Sequence, residues 1–286
     1  MVVLFQNIIR KFKTKSYRFS IYEVALFGLM LALFIMGTLL EQYVFIGKFR
    51  ISVTYPIFIV FGLSLGPWRG AFLGILCNTI TASINGIGTW MIEYAIIPPL
   101  IAFISGWFTR MFFLNNKYTW WSGFIFISLA IILFITIFSF YQNIIIDESD
   151  KRITRLWPIK TVLGIGSGGL LFILIGSILL GVKNARTRNF KTKLNTTLLF
   201  AILLIVTFVL IMSRWLWGPF AFINYYNRFR NGNWKYEDYY LLIMIPIIIK
   251  SFIEIPIYAL IIFAIYPIIV MIRQKIHFHR NLNYLN

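Results

Sequence analysis

Long apolar stretches alternate with short polar segments along almost the whole chain. Hydropathy predicts helices at about residues 22–44, 52–65, 68–84, 89–113, 120–141, 160–182, 196–217 and 239–272. With a rise of 1.5 Å per residue, the longer ones can cross a hydrocarbon core of about 30 Å. A Gly-Pro turn at Gly66 and Pro67 separates the second helix from the third. The pattern predicts an all-α membrane protein of about eight helices.

Composition and charge agree with this fold class. Hydrophobic residues make up 59% of the 286 residues and charged residues 13%, and a soluble domain of this size could not bury so much apolar surface. The formal charge of +18 could indicate a nucleic-acid partner. Most Lys and Arg residues, however, fall in connections that share one side of the membrane, densest in the segment 183–193. The positive-inside rule therefore predicts that both termini are cytoplasmic, and no nucleic-acid partner is expected.

The familiar signatures of enzymes and metal sites are missing from the sequence. The run GIGSGG at 164–169 lies inside a predicted membrane helix, where glycines usually allow close helix packing. No GxxxxGK[ST] phosphate loop occurs, so we expect no ATPase activity from this chain. His277 and His279 are the only histidines and have no cysteine or carboxylate cluster nearby in sequence. We predict neither an enzyme, nor a metal site, nor a cofactor.

Two charges in the last apolar stretch are the most unusual feature. Lys250 and Glu254 are four residues apart and share a helix face, although a charge at the centre of a membrane helix costs about 2.5–3.5 kcal/mol. A carboxylate one turn away favours the charged form of the lysine. The pair could be purely structural. It could also belong to a pocket for a polar, planar ligand, because other polar and aromatic residues fall near the outer halves of their helices. These are Arg50, Tyr55, Asn78, Trp90, Glu93, Arg214 and Trp215.

Small residues on the first helix indicate a second surface. Ala25, Gly28 and Ala32 would let another helix approach closely. That helix could belong to this chain or to a partner.

One family resembles these segments. GKFRISVTYPIFIVFGLSLGPWRGAFLGILCN, which begins at Gly47, resembles the second and third helices of the substrate-binding S components of energy-coupling factor (ECF) vitamin transporters, and most of all their folate group. SRWLW at 213–217 and IPIIIKSFIEIPI at 245–257 are similar to the last two helices of that group. The likeness covers about residues 20–113 and 196–272.

The resemblance implies a six-helix S-component-like bundle interrupted by an inserted transmembrane hairpin. The expected division is a basic cytoplasmic N-terminus (1–20), the first four core helices (21–113), the hairpin with a basic cytoplasmic loop (114–195), the last two core helices (196–272) and a basic cytoplasmic tail (273–286).

For function, the resemblance implies the high-affinity vitamin-binding subunit of an ECF-type ABC importer in a bacterial plasma membrane. It would capture folate at the outer face and deliver it together with a coupling transmembrane subunit and two ATPases. Riboflavin or another vitamin is the alternative substrate, and a non-transport structural or assembly protein is the alternative class. The first-helix set Ala25, Gly28 and Ala32 would contact the coupling subunit. The expected substrate-binding residues are Arg50, Tyr55, Asn78, Trp90, Glu93, Arg214, Trp215, Lys250 and Glu254.

Overall fold

The structure, a computed structural model, is almost entirely helical in the part of the chain that it describes. The described residues are 21–43, 52–86, 88, 90–112, 116–146 and 152–282. The helices in chain order are α1 (Ile21–Tyr43), α2 (Thr54–Leu65), α3 (Pro67–Asn85), α4 (Ile92–Ala95), α5 (Ile97–Phe112), α6 (Asn116–Ile146), α7 (Arg152–Arg186), α8 (Phe190–Leu210), a π-helix (Ile211–Leu216), α9 (Trp217–Phe229) and α10 (Tyr236–Leu282).

These elements correspond to the eight predicted apolar segments. α4 and α5 together form the fourth, and α8, the π-helix and α9 continue one another as the seventh. Within the described residues, five helices are long and apolar enough to cross a membrane: Ile21–Glu41, Thr119–Phe140, Pro158–Arg186, Phe190–Phe229 and Tyr236–Ile276. Thr54–Leu65 and Ile92–Phe108 are shorter apolar helices. The prediction of an all-α membrane bundle is confirmed.

Glycines hold α2, α3 and α5 together at backbone contact. A Cβ added at Gly74 would lie 2.7 Å from the Pro99 nitrogen, and one at Gly70 would lie 3.0 Å from the Gly62 Cα. A Cβ on Gly62 itself would overlap the Ala102 carbonyl oxygen of α5. Since helices gain little hydrophobic driving force from one another in lipid, such close approach is a main source of packing energy.

The hairpin of α6 and α7 packs on α8 and α10 through small residues as well. A Cβ at Gly166 would overlap the Phe134 ring of α6, and one at Gly169 would overlap the Phe252 ring of α10. Two of the four glycines of the GIGSGG run thus serve helix packing, whereas a Cβ at Gly164 or Gly168 would have nothing within 4 Å. The hairpin therefore lies against the last two long helices of the bundle.

The seventh helix extends well beyond its predicted end. Hydropathy ends it near residue 217, but α9 continues to Phe229 because polar residues outside the hydrocarbon region do not interrupt a helix. The turn between α9 and α10 is closed by Asn227. Its Oδ1 accepts from the backbone N–H of Trp234 at 2.8 Å, and its Nδ2 donates to the carbonyl of the same residue at 2.9 Å.

Candidate functional site

A fully buried carboxylate joins three segments of the bundle. Glu254 on α10 forms an ion pair with Arg214 of the π-helix, and its Oε1 lies 3.7 Å from the Nζ of Lys250. The backbone N–H of Ser52 also donates to Oε1, at 3.3 Å. An unpaired charge here would carry a large desolvation cost, so these partners account for a carboxylate in this position.

The π-helix determines where Arg214 points. A π-turn is wider than an α-turn and is common at functional sites. Here it precedes Pro219, which has no N–H to donate to the preceding turn. The Cζ atom of Arg214 lies 4.4 Å from the centroid of the Tyr55 ring, which is a cation–π contact. Arg214 thus contacts a carboxylate and an aromatic face together.

Glu41 fixes the segment that leads into α2. One oxygen of its carboxylate accepts from the backbone N–H of Thr54 at 2.7 Å and from the Ser52 hydroxyl at 3.1 Å. The Tyr258 hydroxyl donates to the Ser52 carbonyl at 2.5 Å. Residues 52–54 are therefore held by side chains from α1 and from α10.

Sequence reasoning missed Glu41, although a signal was available. It lies in the last turn of α1, the negative end of the helix dipole, where an acidic residue is unfavourable unless another group compensates it. The start of α2 provides that compensation.

Glu93 forms a second polar group, on α4. Its backbone carbonyl accepts from the indole N–H of Trp217 at 2.7 Å, and its Oε1 accepts from the Asn224 Nδ2 at 3.5 Å. The other oxygen, Oε2, is buried and has no hydrogen-bond partner among the described residues. Buried acceptors are normally paired, so this oxygen is a candidate acceptor for a ligand N–H or O–H.

Tyrosine rings lie at both polar groups. Tyr94, next to Glu93, packs edge-on against Tyr225 with 6.4 Å between ring centroids. Tyr55 is the ring beneath Arg214. Each group therefore combines a carboxylate with aromatic faces.

Five of the nine predicted substrate-binding residues belong to these two polar groups. They are Tyr55, Glu93, Arg214, Lys250 and Glu254. Asn78 is half-buried on α3 and Trp90 is 45% exposed, and the contacts just described involve neither. Arg50 lies outside the described residues.

Trp215 faces a different neighbour from the one expected. Its ring packs edge-on between Phe134 and Phe252, at centroid distances of 5.8 and 5.7 Å, and is 1% exposed. It therefore lies where the hairpin meets α10, while the adjacent Arg214 points to Glu254.

The predicted partner-binding residues lie on an open face of α1. Ala25, Gly28 and Ala32 are all exposed, and nothing lies within 4 Å of a Cβ built on Gly28. The packed face of the same helix contains Gly37, where a Cβ would be 2.7 Å from Ile57 Cδ1. The exposed small-residue face stays a predicted docking surface.

Comparison with known families shows which protein class the chain belongs to. The model of one family, described as "ECF-type riboflavin transporter, S component", matches residues 18–182, more than half of the chain. The chain belongs to this family. The predicted S-component resemblance is confirmed, and with it a substrate-binding subunit of a transporter rather than an enzyme. The match is to the riboflavin type and does not support the folate assignment.

The region matched by the S-component family covers α1 to α7, including the hairpin, and ends before α8. Arg214, Lys250 and Glu254 lie beyond it, whereas Tyr55 and Glu93 lie within it. No curated protein and no solved structure matches the chain.

Proposed function

We propose that this S component captures a vitamin at the outer face of a bacterial plasma membrane for an ECF-type importer. The family match is the observation that carries the proposal. The predicted orientation, with both termini cytoplasmic, puts the C-terminal end of α1 and the connection of α9 to α10 outside. The polar groups around Glu254 and Glu93 then lie at the outer half of the bundle, where substrate arrives.

The site favours a flat and uncharged vitamin, and riboflavin is our first candidate. Arg214 and Lys250 both pair with Glu254, and Glu41 and Glu93 add two further carboxylates, so the described part of the site has no surplus positive charge to neutralise an anion. The unpaired Glu93 Oε2 can accept a ring N–H, and Tyr55 can stack on a planar ring. A fused ring system with few N–H donors fits this combination.

Folate remains the second candidate because two cations lie close together. The Lys250 and Arg214 side chains are 27% and 13% exposed, so an incoming carboxylate can reach them. Folate carries two carboxylates, and these would have to compete with Glu254 for the same cations. Binding of folate would therefore require its carboxylates to displace Glu254 from these cations, whereas binding of riboflavin would leave the Glu254 ion pairs intact.

Delivery of the vitamin requires partners that this chain does not supply. We propose that the exposed small-residue face of α1 docks on the coupling transmembrane subunit, which is driven by two ATPases. Close contact between helix backbones is what Ala25, Gly28 and Ala32 permit.

Identification of the bound ligand tests the substrate proposal. One sample of the purified chain is denatured and its released small molecules are identified by mass spectrometry. A second, ligand-free sample is titrated with riboflavin and with folate. We expect bound flavin, riboflavin binding that exceeds folate binding by at least about a hundredfold, or 2.8 kcal/mol, and weaker binding in Glu93→Gln. Glu237→Gln, an exposed carboxylate on α10, is the matched control and should bind normally. Tight folate binding without riboflavin binding would reverse the assignment, and binding of neither would overturn it.

A further inference from the structure

An apolar groove runs along the side of the bundle where the hairpin meets α8 and α10. Its volume is about 570 Å³. α6 contributes Leu129 and Leu133 to its wall, the α8 and π-helix segment contributes Phe208 and Trp215, and α10 contributes Met244. Leu129 and Leu133 are 51% and 50% exposed, so this lateral groove is open on the side that faces lipid.

The length and depth of the lateral groove match one leaflet of a bilayer. Its wall on α6 runs from Phe126 to Phe138, a rise of about 18 Å at 1.5 Å per residue. Half of the hydrocarbon core is about 15 Å thick. The apolar span of α6 is Thr119–Phe140, so the groove begins about a third of the way along the span and ends near its outer limit.

The polar residues of the lateral groove are confined to that outer end. Tyr236, Glu237 and Tyr240 line it there, where α10 begins. Tyr240 donates to the Leu216 carbonyl at 2.6 Å, which leaves the exposed Glu237 carboxylate as the charged group at the opening. A ligand that fits must be apolar along one leaflet and polar, preferably cationic, at the membrane surface.

The shape and lining of the lateral groove suit a single acyl chain with a headgroup, because its walls are apolar along one leaflet and its one charged lining residue in the described part of the chain, Glu237, stands at the end. We propose that the lateral groove binds one acyl chain of a phospholipid from the outer leaflet, with the headgroup ammonium near Glu237. The chain fills the space between hairpin and core, where an empty gap would forfeit van der Waals contacts.

Native mass spectrometry of the full chain with dioleoylphosphatidylethanolamine tests this proposal. Ala130→Trp puts a large side chain into the lateral groove, and Ile132→Trp puts the same side chain on the same helix at a position that is 62% exposed and does not line it. We expect one retained phospholipid in wild type and in Ile132→Trp, and at least about a tenfold lower occupancy in Ala130→Trp, a loss of 1.4 kcal/mol. Riboflavin binding reports on folding of each variant and should be unchanged.

Two further variants, Leu133→Trp and Glu237→Gln, extend this test. Leu133→Trp replaces Ala130→Trp if that variant fails to fold, and it should lose the lipid in the same way. Glu237→Gln should lower the preference for phosphatidylethanolamine over phosphatidylglycerol, since its carboxylate attracts an ammonium and repels an anion. Wild type without retained phospholipid, equal retention in the groove-filling and control variants, or a co-purified protein chain in place of the lipid would each overturn the proposal.

Discussion

Arg214 and Glu254, forty residues apart in sequence, form a buried ion pair that links the π-helix to α10. Glu254 is fully buried, whereas Arg214 keeps a small exposed fraction and stacks on Tyr55. The carboxylate is therefore the organising member of the pair, and the guanidinium is the member that a ligand can reach.

Glu254→Gln should destabilise the folded protein by about 3–5 kcal/mol, because it leaves two cations without their buried partner. Thermal unfolding in detergent measures this as a lower midpoint. Glu237→Gln removes an exposed carboxylate from the first turn of the same helix and should lower the midpoint much less, since such a charge contributes only about 0.3–1 kcal/mol. Equal midpoints for Glu254→Gln and wild type would show that the pair contributes nothing to stability.

Lys250→Met should weaken vitamin binding at least about thirtyfold, because the Lys250 ammonium is 27% exposed and can donate a charge-assisted hydrogen bond to the ligand, worth about 2 kcal/mol. Stability should fall less than in Glu254→Gln, because Arg214 still neutralises the carboxylate. A binding titration on correctly inserted protein makes the measurement. Normal affinity in that variant would mean that Lys250 has a structural role only.

Ala32→Trp should block uptake in cells while vitamin binding by the purified chain stays intact, since the bulky ring prevents close approach of a partner helix to α1. Leu33→Trp is the control. It is 51% exposed and lies about 100° around the same helix, so uptake should continue. Loss of both uptake and vitamin binding in Ala32→Trp would contradict the assignment of α1 as the docking surface.

Deletion of the hairpin, from about Trp120 to Val182, should leave vitamin binding within about tenfold, or 1.4 kcal/mol. The groups around Glu254 come from α1, α2, the π-helix and α10, and the surface exposed by the deletion would face lipid rather than water. Binding is measured on protein that elutes as a single species. Complete loss in such a protein would place the hairpin in the vitamin pocket.

Hydropathy alone predicted the helices because the bilayer enforces long apolar segments with satisfied backbone groups. Hydropathy detects only the part of a helix that lies in the membrane. The predicted seventh helix therefore ended near residue 217, where the apolar segment ends, although the helix itself continues. The predicted boundaries therefore differ from the structure mainly where helices extend into water, as α9 does to Phe229.

The sequence predicted those site residues whose charge is energetically unfavourable within an apolar helix. Lys250, Glu254 and Arg214 stand out as charges within apolar helices, and the structure brings them together. Trp215 does not stand out in this way, because an aromatic residue suits a ligand pocket and a helix contact equally well. Its direction depends on the π-turn, which hydropathy cannot detect.

The separation of the paired charges along the chain has a consequence for how the protein is made. Arg214 leaves the ribosome well before Glu254, and an unpaired arginine within the apolar part of a membrane helix is costly. That cost is offset only after α10 has been synthesised and has brought its carboxylate alongside. Biogenesis should therefore integrate the segment from α8 to α10 as one helical hairpin, and chains truncated before Glu254 should be retained at the insertion machinery or degraded.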